Sequence, residues 1–386
     1  MTSTSLHEDS RRRFEARFGC PPTLLVRAPG RINLIGEHTD YQGGHVLPAA
    51  IDREILIAAR PDPGGAVEVH SDRLGHAAPF APDDSRRTGG WTDLVRGVLA
   101  ESTRASVPID GFRALIGGHL PTGAGMSSSA AVGVGFATLV QALAEAPHDP
   151  RQAATIAHRA ETDYLGVPCG IMDPLACALG RPETALHIDC RATTVEPIRV
   201  APELGEWVAF HSGVSRELRR SDYATRTKEC ADCVREIQRE DDSIRSLRDV
   251  TLDRLEAVTT ILDGPLLRRA RHVVTENQRV LSAIQALRDA DAITLGARLD
   301  ESHRSLRDDF EVSHPALDTL VDIAREEGAL GSRMMGAGFG GCTLSLVPTE
   351  IVDRWTNRVE QAYRARSGQR GTPYRLRLTT GASVER

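Results

Sequence analysis

A chain of 386 residues, 40% hydrophobic and 26% charged, carries enough apolar side chain for two lobes or for one large domain with insertions. Its formal net charge of −6, with arginines spread along the chain, leaves no basic face for a phosphodiester backbone and argues against nucleic acid as a partner. Glu8 and Asp9 ahead of RRRFEARF exclude the pattern of a secretory signal, and the most apolar run, AAVGVGF from Ala130, is far shorter than the ~20 residues that span a bilayer.

The first clear element is a strand, TLLVRAPG. It leads into RAPGRINLIGEHTDYQGGHVLP, from Arg27 to Pro48, which gathers Arg31, Asn33, Glu37, His38, Asp40 and Tyr41 in one turn-rich run. Surface loops are often polar, but they seldom place a cation, two acids, an imidazole and an amide so close together. VLPAAIDREILIAARPD follows, and its alternating ILIAA predicts a half-buried strand. WTDLVRGVLAEST predicts a helix capped by Thr92 or Asp93.

FRALIGGHLPTGAGMSSSAAVGVGFATLVQALAEA then runs strand, glycine loop, long helix. In it, Gly123 and Gly125 let the backbone turn sharply around Ala124 and Met126, close to a ligand. Ser127, Ser128 and Ser129 supply hydroxyls and amides where the helix opens, and the unpaired N–H groups there attract an anion such as phosphate. A plain helix cap would need only one of these serines.

A second helix, RQAATIAHRAETDYLG, runs into VPCGIMDPLACALG, and strand-like pieces occupy Asp189 to Pro202. WVAFHSG reads as a strand opening a second lobe, and amphipathic helices rich in arginine fill Ser215 to about Glu327. Lys228, the only lysine, lies among them, which excludes a Walker loop and rests any Schiff-base chemistry on one residue of a charged helix. Cys230 and Cys233 form a CxxC with no second ligand pair, so two thiols on one helix face is the reading adopted. Seven cysteines without a secretory signal point to the reducing cytoplasm.

In GSRMMGAGFGGCTLSLV, Gly336, Gly338 and Gly341 match GxGxxG, but a helix-like segment precedes and a strand follows, the reverse of a dinucleotide fingerprint. A close-packed wall against phosphate or sugar suits it better. The alternating YRLRLTTGA ends the pattern, and helices segregated from mostly antiparallel strands predict an α+β fold.

Together, GRINLIGEHTDYQGGHVLP, LPTGAGMSSSAAV and GSRMMGAGFGGC resemble the three motifs of the GHMP small-molecule kinases, in particular their galactokinase branch. The likeness continues through PCGIMD, SGVSRELRRSDYATRTKEC, RRARHVVTENQRV and SHRSLRDDFEVS, and so covers the chain from about Leu24 to the last strands. It implies a two-lobed α+β GHMP kinase fold. Residues 20–195 would form an N-terminal lobe with a mixed or antiparallel sheet and helices, residues 196–386 a ferredoxin-like C-terminal lobe, with the active site in the cleft. It further implies an ATP-dependent, Mg²⁺-requiring sugar 1-kinase acting on galactose as a cytoplasmic monomer or weak dimer, with sugar and ATP as its partners.

A hexose presents hydroxyls in every direction, and by this resemblance Glu37, His38 and Asp40 would hold them. Gly170 would touch the sugar through its backbone, and Tyr223 would complete the pocket. Asp173 would take the proton of the anomeric hydroxyl, with Arg31 beside it to stabilise developing charge. Ser129 and Glu161 would hold Mg²⁺, and Trp91 would stack on the adenine. Pro174 stands where the family usually has glutamine, Met335 where it has threonine, and His211 where it has asparagine. These departures leave N-acetylgalactosamine or a specialised sugar open. A non-catalytic galactose sensor is the rival from another class. Sensors lose residues of the serine loop, and that loop is intact here.

Overall fold

The computed structural model describes residues 3–214 and 220–385. Residues 215–219, part of the SGVSRELRRSDYATRTKEC stretch, lie outside the described residues. Helix α1 (Ser3–Phe18) precedes β1 (Leu24–Asn33), β2 (His45–Val46), β3 (Pro48–Pro61), β4 (Val67–Ser71) and β5 (Gly75–His76). Next come α2 (Asp93–Arg104), β6 (Phe112–Gly118), α3 (Ser128–Leu143), α4 (Pro150–Arg159), α5 (Met172–Leu179), and the hairpin of β7 (Thr184–Asp189) and β8 (Thr194–Arg199). The second part runs β9 (Glu206–His211), α6 (Arg220–Ile237), α7 (Leu252–Val258), α8 (Gly264–Arg288), α9 (Ala292–Asp308) and α10 (Pro315–Glu326). It closes with β10 (Gly331–Met334), β11 (Cys342–Val347), α11 (Val352–Ser367), β12 (Thr372–Leu376) and β13 (Ser383–Glu385).

Three sheets carry these elements. The first, ordered β13-β1-β3-β6-β4-β5, is mixed: β4 and β6 run parallel and the other pairs antiparallel. The second, β10-β11-β9-β12, is antiparallel throughout, and β2-β7-β8 form a small third sheet. This is the α+β, two-lobed arrangement expected from the sequence. Among the described residues no helix is long and apolar enough to cross a membrane.

The ILIAA strand differs from expectation: Ile55 to Ala59 of β3 are buried on both faces. Ile55, Ile57 and Ala59 face the core beneath α3, while Leu56 and Ala58 pack with Phe14 of α1. The sequence pattern gave no sign of α1 as a cover, so the second buried face was missed. In α3, a Cβ on Gly133 would lie 3.1 Å from Ala157 Cβ, and one on Gly135 would lie 2.9 Å from Ile57 Cδ1. The glycines of AAVGVGF therefore let this helix press against α4 and the sheet.

The predicted helix over RQAATIAHRAETDYLG ends at Arg159 and continues as one π-helical turn, Ala160–Tyr164. GSRM, not foreseen as a strand, is β10 and pairs with β11 as a hairpin around the second glycine cluster. Cys230 and Cys233 point into one core with Val273, Leu306 and Phe310, whereas Lys228 is exposed on the same helix. Burial raises the Cys233 thiol to about 12. Beyond β12 the chain turns back to the first sheet, where β13 lies along Leu25 to Arg27 of β1.

Candidate active site

Arg31 sits just after a register shift in the pairing of β1 with β3, between Pro29 and Arg31, and the ladder resumes there with Arg31 opposite Ala50. Gly30 makes room for the glycine loop, since a Cβ there would lie 2.4 Å from Leu120 Cδ1 and 2.6 Å from Met126 O. The Arg31 guanidinium forks onto Asp173, with Nε 2.7 Å from Oδ1 and Nη2 2.7 Å from Oδ2, while Nη1 donates to Gly125 O at 2.6 Å. Burial works to lower the Arg31 pKa, but the carboxylates of Asp173 and Glu37 overcome it and leave it raised. Asp173 keeps 30% of its side chain exposed, so its carboxylate remains accessible to a substrate.

Asp173 is not a helix cap; Ile171 holds that position in α5. Pro174 falls in the first turn, where the missing N–H would have had no intrahelical partner, so the family departure costs the helix nothing.

The glycine–serine loop is pinned by Ala124 and Met126, both buried in the core, and turned by Gly123 at φ 72° and Gly125 at φ 80°. Ser127 stands at the cap of α3 in the left-handed region, φ 56°, and its hydroxyl makes no cap bond. It donates instead to Asp173 Oδ2. The first amides of α3 are therefore left uncapped by the residue that would ordinarily serve them. Ser128 is half-buried and Ser129 exposed.

Glu161, on the π-helical turn, accepts from Cys169 Sγ at 3.8 Å, and Ser129 lies near enough to favour its charged form. Burial raises the Glu161 pKa and the charge of Asp173 adds to it, against the pull of Ser129. Two hard oxygen donors, one on a carboxylate whose charge is poorly solvated, fit Mg²⁺. Trp91 is half-buried against the N-terminal core. The turn before it is tied down by Asp93, which faces backwards to accept from Thr88 N at 2.9 Å and Gly89 N at 2.8 Å. Thr92 takes the cap position of α2 without a side-chain bond.

On the other side of Asp173, the turn of residues 36–45 brings Asp40 against Gly170: a Cβ on Gly170 would lie 1.8 Å from Asp40 Oδ2. Burial and the neighbouring Asp173 carboxylate push Asp40 up to about 7. Tyr223 of α6 closes over the same space, its ring centroid 5.4 Å from that of His38 and 5.8 Å from that of Tyr41. Burial, then the charge of Asp40, keeps the Tyr223 phenol protonated well above its ordinary range.

Glu37 and His38 are more deeply engaged. Glu37 Oε1 accepts from Gly336 N at 2.6 Å and lies 3.3 Å from Arg333 Nη2, and Oε2 accepts from Asn33. His38 Nε2 lies 3.2 Å from Ala337 O and must carry the proton, which leaves Nδ1 to the Tyr41 hydroxyl at 3.1 Å. The second glycine cluster thus packs on the turn itself. Met335 is wholly buried, and His211 Nδ1 accepts from Gly213 N at 3.0 Å at the end of β9.

Sequence reasoning assigned no role to Arg333, His272, Glu276 or Asn277, which hold the same turn from behind. Arg333 Nη1 donates to Asn33 O at 2.9 Å and Leu34 O at 3.1 Å. The available signal was His and Glu at i and i+4 in RRARHVVTENQRV, two polar groups on one face of a helix otherwise read as amphipathic, with Asn next to the Glu.

An uncapped helix N-terminus and a polar turn converge on one ion pair between two lobes. The GHMP kinases N terminal domain matches residues 93–181 and the GHMP kinases C terminal family matches residues 283–365. Mevalonate kinase of Methanococcus jannaschii shares the fold, with a TM-score of 0.68 at 16% identity over 92% of this chain and 98% of that one. Fold and site together define a small-molecule kinase of the GHMP class.

The galactokinase galactose-binding signature matches residues 12–61, and a galactokinase from Roseiflexus sp. (strain RS-1) is 42% identical over 373 residues, 96% of this chain and 95% of that relative. The crystal structure of Lactococcus lactis galactokinase complexed with galactose superposes with a TM-score of 0.92 at 32% identity, over 98% of this chain and 99% of that one. The chain belongs to the galactokinase family, and it is a phosphotransferase that uses ATP.

Proposed function

We propose that the protein transfers the γ-phosphoryl group of ATP to the anomeric hydroxyl of galactose, giving galactose 1-phosphate. The observation that carries this reading is the Ser127–Asp173–Arg31 chain, which joins the glycine–serine loop to Arg31 of β1 through one carboxylate. The triphosphate lies against the uncapped amides of α3, and Trp91 stacks on the adenine. The sugar lies against the touching pair of Asp40 and Gly170, with Tyr223 closing over it. A carboxylate offers about four acceptor sites, and among the described residues Glu37 has partners at three, which leaves one for a sugar hydroxyl. His38 contributes the wall of the pocket through its ring.

Asp173 accepts the hydroxyl proton at its remaining lone pair. A loose phosphoryl transition state demands little basicity and much positioning, and the bonds from Arg31 and Ser127 supply that positioning. Arg31 holds the carboxylate in place and faces the charge that develops between nucleophile and phosphate. Ser129 and Glu161 would hold Mg²⁺, which would supply neutralisation of the phosphate charge that the chain, with no lysine at its loop, leaves uncovered.

The lobes divide near residues 195 and 196. The absence of disulfides among the seven cysteines of the described residues favours a cytoplasmic setting. The test is a panel of free sugars with ATP, scored by product mass and by NMR for the position modified. Galactose phosphorylated at C1 with the highest kcat/KM is expected. Preference for another sugar refutes the substrate, and no transfer to any sugar refutes the reaction.

A further inference from the structure

The turn that carries Glu37, His38 and Asp40 is gripped from behind by a helix of the other lobe. Along α8, His272, Glu276 and Asn277 are all buried. His272 Nε2 donates to Glu37 O at 3.1 Å, Glu276 Oε1 accepts from Gly36 N at 3.0 Å, and Asn277 Oδ1 accepts from His45 N at 2.8 Å. Every partner is a main-chain atom. The contacts fix the path of the turn at its two ends and leave Asp40 between them.

Each of the three is held in turn. His272 Nδ1 lies 2.9 Å from Ser305 Oγ, Glu276 takes bonds of 2.6 Å from both Ser302 and Arg279, and Asn277 Nδ2 donates to Val273 O at 2.9 Å. Gly44 admits the helix, since a Cβ there would lie 2.6 Å from Asn277 Oδ1. Apolar side chains would join the lobes without the desolvation cost of buried polar groups. What the polar groups add is direction, because a hydrogen bond tolerates little displacement of its partner.

We propose that His272, Glu276 and Asn277 are positioning residues for the sugar, setting through the turn the place of Asp40 and hence the affinity for sugar while leaving the nucleotide side unaltered. The proposal rests on the reading that residues 36–45 hold the sugar. Its consequence is that sugar binding depends on the seating of the C-terminal lobe, through three α8 side chains that bond main-chain atoms of the turn.

The test compares His272→Leu, which lacks the donor, with His272→Gln, which retains one, measuring galactose Kd without nucleotide, KM for each substrate, kcat and amide exchange at Gly36 and His45. Loss of one buried hydrogen bond is expected to weaken galactose about tenfold and to leave ATP KM and kcat within about twofold, with His272→Gln close to wild type. Galactose affinity unchanged in His272→Leu, or galactose and ATP KM rising together, overturns the proposal. Should His272→Leu fail to fold, Asn277→Ala passes through the same measurements and is judged by the same two outcomes. Asp40→Asn separates the layers. If it leaves galactose binding intact, the assignment of the turn falls; if it weakens galactose while the α8 variants do not, the positioning role falls.

Discussion

Replacing Gly170 with alanine places a methyl carbon 1.8 Å from Asp40 Oδ2 and 2.3 Å from Asp40 Cγ. Gly170 is not among the positive-φ glycines, so an alanine backbone fits and the strain falls on the carboxylate. Relaxing 1.8 Å to an ordinary contact of 3.4 Å moves the Asp40 oxygen by about 1.6 Å, more than a hydrogen bond tolerates. A hydrogen bond to a charged acceptor contributes about 1.5–3 kcal/mol, so galactose affinity is expected to fall about 10- to 150-fold. ATP KM stays near wild type, because Arg31, Asp173 and the serine loop are untouched. Titration calorimetry with galactose, initial rates in both substrates and a melting curve measure these effects together. Unaltered galactose affinity in a folded Gly170→Ala protein would mean that Asp40 does not bind the sugar.

Asp173→Asn keeps the shape of the pair and is expected to lower kcat about 10²- to 10⁴-fold; turnover near wild type refutes the base. Asp173→Ala leaves the buried Arg31 guanidinium without its fork and should melt at a lower temperature than Asp173→Asn, a ranking that calorimetry decides. Because Asp40 titrates at about 7, galactose binding is expected to strengthen as pH rises through that value, and the dependence should vanish in Asp40→Asn. The same group ionises near 3.8 when unfolded, so between 3.8 and about 7 the folded state holds the extra proton. Stability of the sugar-free protein should therefore fall as pH rises across that window, which urea titrations at several pH values measure. Ser129→Ala should raise the Mg²⁺ concentration for half-maximal rate, and an unchanged metal titration argues against that ligand.

What could be read from the sequence was what neighbouring residues decide. Gly123, Gly125 and Ser127 announce a sharp turn opening a helix because the turn and the helix end are made by the same few residues. The density of polar groups between Arg31 and Tyr41 is legible for the same reason, and the fold gathers Glu37, His38 and Asp40 in one turn. The partners that discipline that turn were not legible from chemistry alone: His272 meets Glu37 from 235 positions away, and Gly336 meets it from 299. Nor does periodicity show which helix covers a strand's second face, as Phe14 does over Leu56 and Ala58. Ser127 is instructive in another way. The sequence offered its hydroxyl and amide to an anion at the helix opening, and only the fold reveals that the hydroxyl turns to Asp173.

The return of β13 to β1 bears on any attempt to produce the lobes as separate fragments. A fragment stopped near residue 195 would present the main chain of Leu25 to Arg27 as a bare rim, inviting it to pair with a second copy and aggregate. Supplying residues 383–385 as an added peptide strand would mask that rim, and solubility regained on its addition would reveal how far the first sheet relies on a segment so distant along the chain.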